Sequence, residues 1–109
     1  MGKVSKNDVN NIIDGVIQLK KEFTRTSGTS TFIHKQIYYA NGWYIYQLSP
    51  YNFEVFKEKI INGVTNEGGK IKTDKTIKKV KYPNDEDFGN WAWSVSSLEC
   101  ALKYIEFYS

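Results

Sequence analysis

The feature that most constrains this chain is the dipeptide Asn41-Gly42, set between two runs of β-favouring residues, Phe32 to Ala40 and Trp43 to Leu48. A two-residue type I′ turn needs positive φ at both central positions, and Asn-Gly tolerates that best. The pair therefore predicts an antiparallel hairpin with a defined register. Ala40 faces Trp43, Tyr39 faces Tyr44, Ile37 faces Tyr46 and Lys35 faces Leu48. A second turn is expected at Ser49-Pro50-Tyr51-Asn52, where Ser suits position i and Pro suits position i+1 of a type I turn. A third strand over Phe53 to Lys57 then sets Leu48 against Phe53 and Tyr46 against Val55. Period-two alternation puts these four on one face with Ile33, Ile37, Tyr39 and Tyr44. His34, Gln36, Gln47 and Glu54 fall on the other face, with Tyr38, Trp43, Ile45 and Phe56 among them. A helix competes for the same stretch, with Ser49 as N-cap, Pro50 at the first helical position, and Phe53, Phe56, Ile60, Ile61 and Val64 on one stripe.

The flanking segments read less sharply. Ser5 and Asp8 resemble a capping box, and Val9, Ile12, Ile13, Val16 and Ile17 then recur at helical spacing, with Lys20 and Lys21 near the helix end. Thr24 to Ser30 reads as loop. Asn62 to Lys75, centred on Gly68-Gly69, reads as a long exposed loop or a flexible hairpin. Thr76 to Tyr82 reads as an edge strand whose lysines discourage association. Pro83 to Gly89 reads as an acidic turn and Asn90 to Ser94 as a short last strand. Ser96-Ser97-Leu98-Glu99 forms a capping box, Val95 is placed to staple against Cys100, and Leu98, Ala101, Leu102, Ile105 and Tyr108 make one apolar stripe. The expected fold class is α+β: an N-terminal helix, an antiparallel β-meander of three to five strands, and a C-terminal helix packed on one sheet face. A single α+β domain is expected over residues 1–109.

Composition narrows the function classes. The 109 residues are 40% hydrophobic and 25% charged, ordinary for a globular chain. The net charge of +3 is too mild to announce nucleic acid by itself. Aromatics are the outlier, with eight tyrosines; they either fill a small core or supply a contact surface. Cys100 is the one cysteine, so no intrachain disulfide and no cysteine zinc cluster can form, which suits a cytoplasmic setting. No leader peptide is read at the N-terminus, and no apolar run approaches the ~20 residues of a membrane span.

Chemistry-bearing motifs are sparse. His34 is the single histidine, and it is expected on the polar sheet face. Cys100 reads as a small hydrophobe in the last helix; the competing reading is a thiol nucleophile near a helix N-terminus, in need of His34. Asp85, Glu86 and Asp87 lack the spacing of a calcium loop and read as a solvated turn. Gly68-Gly69-Lys70 lacks the phosphate-loop spacing, with Ile71 where Ser or Thr belongs. No cofactor is expected. The lysines concentrate between Lys57 and Lys81, and read either as a solvated edge or as a patch for phosphates or an acidic protein surface.

The segment NWAWSVSSLECALKYIEF, residues 90–107, resembles small phage and mobile-element accessory proteins, in which a compact aromatic sheet is closed by one short capped helix. Inhibitors of host defence, anti-CRISPR proteins among them, belong to this group. The resemblance implies a non-enzymatic binding protein that blocks a bacterial defence nuclease of the CRISPR type, or its guide RNA complex, by steric occlusion. The residues expected to contact the partner are Tyr38, Trp43 and Phe56 as anchors on an exposed sheet face, with Lys57, Lys59, Lys78, Lys79 and Lys81 as a basic rim. The alternative is a small nucleic-acid-binding module using the basic patch and the same aromatics. A third reading is a small enzyme using His34 or Cys100. The aromatic face also leaves a homodimer open.

Overall fold

The computed structural model describes residues 12, 13 and 15–109, with side chains left aside at 27, 64–67, 71–72 and 74–75. Ser5, Asp8 and Val9, which begin the expected N-terminal helix, lie outside the described residues. The chain is mostly strand: β1 (Ile12–Ile13), β2 (Val16–Ile17), β3 (Glu22–Ser27), β4 (Ser30–Ala40), β5 (Trp43–Ser49), β6 (Asn52–Lys57), β7 (Ile60–Glu67), β8 (Lys70–Val80) and β9 (Ala92–Val95), followed by helix α1 (Leu98–Tyr108). The described residues group into two compact units, one from the N-terminal residues through 19 with 59–82, the other from 20–58 with 83–109.

The first unit is a four-stranded sheet in the order β1-β2-β8-β7. Its opening strands correct the expected helix. Ile12, Ile13, Val16 and Ile17 do recur at helical spacing, but Ile13 pairs with Val16 and Ile12 with Ile17 as antiparallel strands. Gly15 sits at φ +77°, which a right-handed helix does not admit. Gly15 in this left-handed region marks a turn as Gly42 does, and it outweighs the helical recurrence of the apolar residues. Gly68 and Gly69, at φ +57° and +82°, turn β7 into β8 in the same way, so the polar 62–75 stretch is a hairpin. The expected edge strand at 76–82 is also corrected: β8 pairs with β7 on one side and with β2 in parallel on the other.

The second unit is a five-stranded antiparallel sheet in the order β3-β4-β5-β6-β9, with α1 against it. The turn at Asn41-Gly42 forms as expected, with Asn41 at φ +51°, and Ala40 faces Trp43 and Tyr39 faces Tyr44. The register then departs from the expected one. A bulge at Ile37 sets Gln36, not Ile37, against Tyr46 and Lys35 against Gln47. A second bulge at Leu48 sets Gln47 against Phe53, Tyr46 against Glu54 and Ile45 against Val55. Residues 52–57 are strand, which settles the competition with a helix in favour of the meander. Thr24 to Ser30 is β3 and its turn into β4, not loop.

Each bulge moves the residues beyond it to the opposite face. One face therefore carries Tyr39, Tyr44, Tyr46 and Phe56 with Gln36, His34 and Phe23. The other carries Trp43, Ile45, Phe53 and Val55, and α1 covers it through Ala101, Tyr104 and Ile105. Trp93 continues this second face and stacks on Trp43, Tyr104 and Tyr108 at 6.3, 5.2 and 4.5 Å. The N-cap of α1 is Ser97, whose hydroxyl accepts from the Cys100 N–H, so the cap lies one residue beyond the Ser96 expected from sequence. Leu98 and Leu102, assigned to the buried stripe, are exposed. The acidic turn is as expected: Asn84 and Asp87 close it through backbone and side-chain bonds to each other.

Candidate functional site

The aromatic anchors expected at the surface are core residues. Trp43 is 4% exposed and Phe56 0%, and they lie on opposite faces of the sheet. Tyr38 is half-buried beside the Trp43 cluster. The physical reason is the pair of bulges: the apolar and mixed faces of the sequence reading exchange members, and both real faces bury large rings. Lys57, opposite Trp43 in register, holds its ammonium 5.3 Å above the indole. Lys59, Lys78, Lys79 and Lys81 belong to the other unit.

The first face is a continuous ring stack. Phe23 lies 4.8 Å from His34 and 5.5 Å from Tyr46, Tyr46 5.8 Å from Phe56, Phe56 5.3 Å from Tyr44, and Tyr44 4.4 Å from Tyr39. Its hydroxyls are spoken for. Tyr46 Oη donates to the Lys20 carbonyl at 2.6 Å and accepts from Gln36 Nε2 at 2.9 Å. Burial pushes the Tyr46 hydroxyl up to about 12, with the Gln36 bond opposing the rise. Burial likewise raises Tyr44, and its neighbours Tyr39 and Glu58 add to the effect. Tyr39 donates to Glu58 Oε2 at 2.8 Å, and that bond to a carboxylate is the main reason its ionisation is raised. Tyr44, Tyr46 and Phe56 form a buried structural core with satisfied polar ends, while Tyr39 at one end of the stack is exposed.

His34 is 3% exposed, with Nε2 3.6 Å from Glu54 Oε1 and Nδ1 3.3 Å from the Phe32 carbonyl. The polar sheet face assigned to it is thus buried. Cys100 stands on α1, over the opposite face of the same sheet. The sheet separates the two, so a Cys-His pair is not assembled. Among the described residues, no cluster of three His, Cys, Asp or Glu side chains is placed to hold a metal ion. No helix among them is long and apolar enough to cross a membrane.

The most exposed aromatic side chains of this unit, Tyr51 and Phe107, lie at the β5–β6 turn and on α1. Two adjoining grooves share Cys100 and Tyr104. One, of about 370 Å³, is lined further by Lys103, Phe107 and Tyr108. The other, of about 700 Å³, is lined further by Tyr51, Asn52, Ser94, Val95 and Ser96. Tyr51 is 82% exposed and Phe107 78%. Both had a sequence signal. Tyr51 is the second central residue of the Pro50 turn, which projects from the sheet, and Phe107 falls outside the apolar stripe of α1.

The second groove runs beside a strand edge. β9 pairs only with β6 within its sheet. Lys57 N–H donates to the Trp91 carbonyl at 3.1 Å, which fixes the phase of the ladder. Hydrogen-bonded pairs alternate along an antiparallel ladder, so Val55–Trp93 and Phe53–Val95 exchange bonds, whereas Ala92 and Ser94 turn their N–H and C=O away from β6. The Ala92 carbonyl confirms this phase by accepting from Gly89 N–H at 2.7 Å. The Ser94 N–H and C=O thus face away from β6, and Ser94 is also one of the residues lining the second groove. Comparison of the chain with protein-family models, with curated proteins and with solved structures found no match in any of the three.

Proposed function

We propose that this chain is a non-catalytic binding protein that takes an extended segment of a partner protein along the β9 edge and the α1 groove. The observation that carries this reading is the exposure of Tyr51 and Phe107 at the two ends of one groove system, beside the outward-facing backbone of Ser94. Strand addition of this kind draws affinity from main-chain bonds at an exposed edge and selectivity from neighbouring side-chain pockets. Exposed tyrosine and phenylalanine supply contact area at little entropic cost. The groove lies within residues 90–107 apart from Tyr51, Asn52 and Tyr108, the segment whose sequence resembles phage-borne accessory proteins. A bacterial defence nuclease of the CRISPR type, blocked by steric occlusion in a cytoplasmic setting, is therefore the first partner class to test.

The test is capture from a bacterial lysate by the tagged chain, with and without nuclease treatment, read by mass spectrometry. The reading expects one protein partner that persists after nuclease treatment and is lost with Tyr51→Ala/Phe107→Ala. Partners that vanish with nuclease, or that the double variant retains, would reject it.

A further inference from the structure

The lysines divide unequally between the units. Residues 59–82 carry Lys59, Lys70, Lys72, Lys75, Lys78, Lys79 and Lys81 against only Glu67 and Asp74, whereas residues 20–58 and 83–109 taken together carry eight acids and six bases. The mild net charge of the whole chain therefore conceals a strongly basic stretch over residues 59–82. Charge concentrated on one element is the electrostatic footprint of a polyanion site.

The β7–β8 register sorts these lysines by face. Ile61 pairs with Lys79 and Ile60 with Val80. The Lys81 N–H donates to the Lys59 carbonyl at 2.8 Å, so the same register carries on and sets Lys59 against Lys81. Lys59, Ile61, Lys79 and Lys81 thus share one face. Asn62, Lys78 and Val80 share the other, where Lys78 donates to Asn62 Oδ1. Farther along, β8 holds extra residues between Asp74 and Lys78, but β7 continues in step, and Lys70 stands opposite Glu67, Lys72 opposite Thr65. Counting alternately from Lys59 along β7 reaches Gly63, Thr65 and Glu67, so Lys70 and Lys72 take register positions on the Lys59 face. Like charges set directly across a ladder cost stability.

We infer that this lysine face of the β7–β8 ribbon binds the phosphate backbone of duplex DNA, separately from the groove on α1. Within the four-stranded sheet this face gathers Lys59, Lys79 and Lys81, and lysines so grouped meet the regularly spaced phosphates of a duplex without reading bases. Trp43 and Phe56, two of the three rings expected to stack on bases, are buried, and Tyr38 is half-buried, so the contact rests on the lysines. Lys78, though central to the basic run in sequence, lies on the wrong face.

The experiment measures fluorescence anisotropy of a labelled duplex with the full chain, across roughly 50–200 mM salt. The chain is expected to bind with a steep salt dependence. Lys59→Gln/Lys79→Gln/Lys81→Gln is expected to weaken binding at least about tenfold and to lower the salt slope by about one per lysine that contacts phosphate. Lys78→Gln is expected to change binding by less than about twofold, being off the contact face. Lys70→Glu, at the exposed ribbon tip, is a second variant that leaves the central ladder intact and is expected to weaken binding too. Absence of salt-dependent binding by the unaltered chain, a loss with Lys78→Gln equal to that of the triple variant, or equal binding of poly-glutamate would each overturn the inference. Loss of DNA binding with intact capture of the protein partner separates this face from the groove.

Discussion

Tyr46 and Lys20 are joined by the shortest link in the second unit's ring stack: the tyrosine hydroxyl donates 2.6 Å to the lysine's backbone carbonyl while accepting from Gln36. Tyr46 is fully buried. Tyr46→Phe keeps the ring and strands both partners, so it is expected to destabilise the fold by about 1–3 kcal/mol. Urea denaturation of the two proteins checks this.

The same burial sets an alkaline limit. The Tyr46 hydroxyl titrates near 12 in the fold and near 10 when unfolded, so above about pH 10 the unfolded chain loses its proton first. Stability is thus expected to be flat with respect to this group below pH 10 and to fall by about 2–3 kcal/mol as pH rises to 12. Tyr44, raised by burial, shifts in the same direction. Absorbance titration is expected to show Tyr44 and Tyr46 ionising only with unfolding; Tyr46→Phe is expected to lessen the pH slope, with Tyr44 supplying the remainder.

In the first unit, Gly63 is required by packing. A Cβ at this position would fall on Ile77 Cγ2 and Cβ. Gly63→Ala is expected to cost about 1–3 kcal/mol, with partial recovery in Gly63→Ala/Ile77→Ala. Thermal melts of the single and double variants read the difference.

At the head of α1, Ser97→Ala removes the side-chain acceptor for the Cys100 N–H and is expected to cost about 1 kcal/mol. Ser96→Ala, one residue earlier, is expected to change stability by less than about 0.5 kcal/mol. Comparing the two by denaturation tests the observed cap against the one the S-x-x-E pattern suggests.

The exposed thiol offers a probe of the groove. Cys100 is exposed and lines both grooves. It is expected to react fully with a thiol reagent in the folded protein, and a bulky adduct there is expected to reduce partner capture. Mass spectrometry and the capture assay read the two effects.

How much of this was legible depended on whether a local residue type carried the geometry. Asn41-Gly42 and Ser49-Pro50 announced their turns, and the Ser96-Ser97-Leu98-Glu99 pattern announced α1 with its cap one residue too early. The bulges at Ile37 and Leu48 had no such signature, since an extra residue in a strand needs neither Gly nor Pro. Their effect was large: Trp43 and Phe56 went from surface anchors to core, and Phe53 and Val55 changed partners. Residues 12–17 failed for a different reason, because four apolar positions suited a helix as well as a tight hairpin. The basic run was legible as composition, but only the ladder separates Lys78 from Lys79.

The most direct test of the account is hydroxyl-radical labelling of the chain, alone and bound to its captured partner, read residue by residue by mass spectrometry. The account predicts strong labelling of Tyr51 and Phe107 in the free chain, protection of both on binding, and little labelling of Trp43 and Phe56 in either state. Strong labelling of Trp43 or Phe56 in the free chain, or unchanged labelling of Tyr51 and Phe107 on binding, would contradict it.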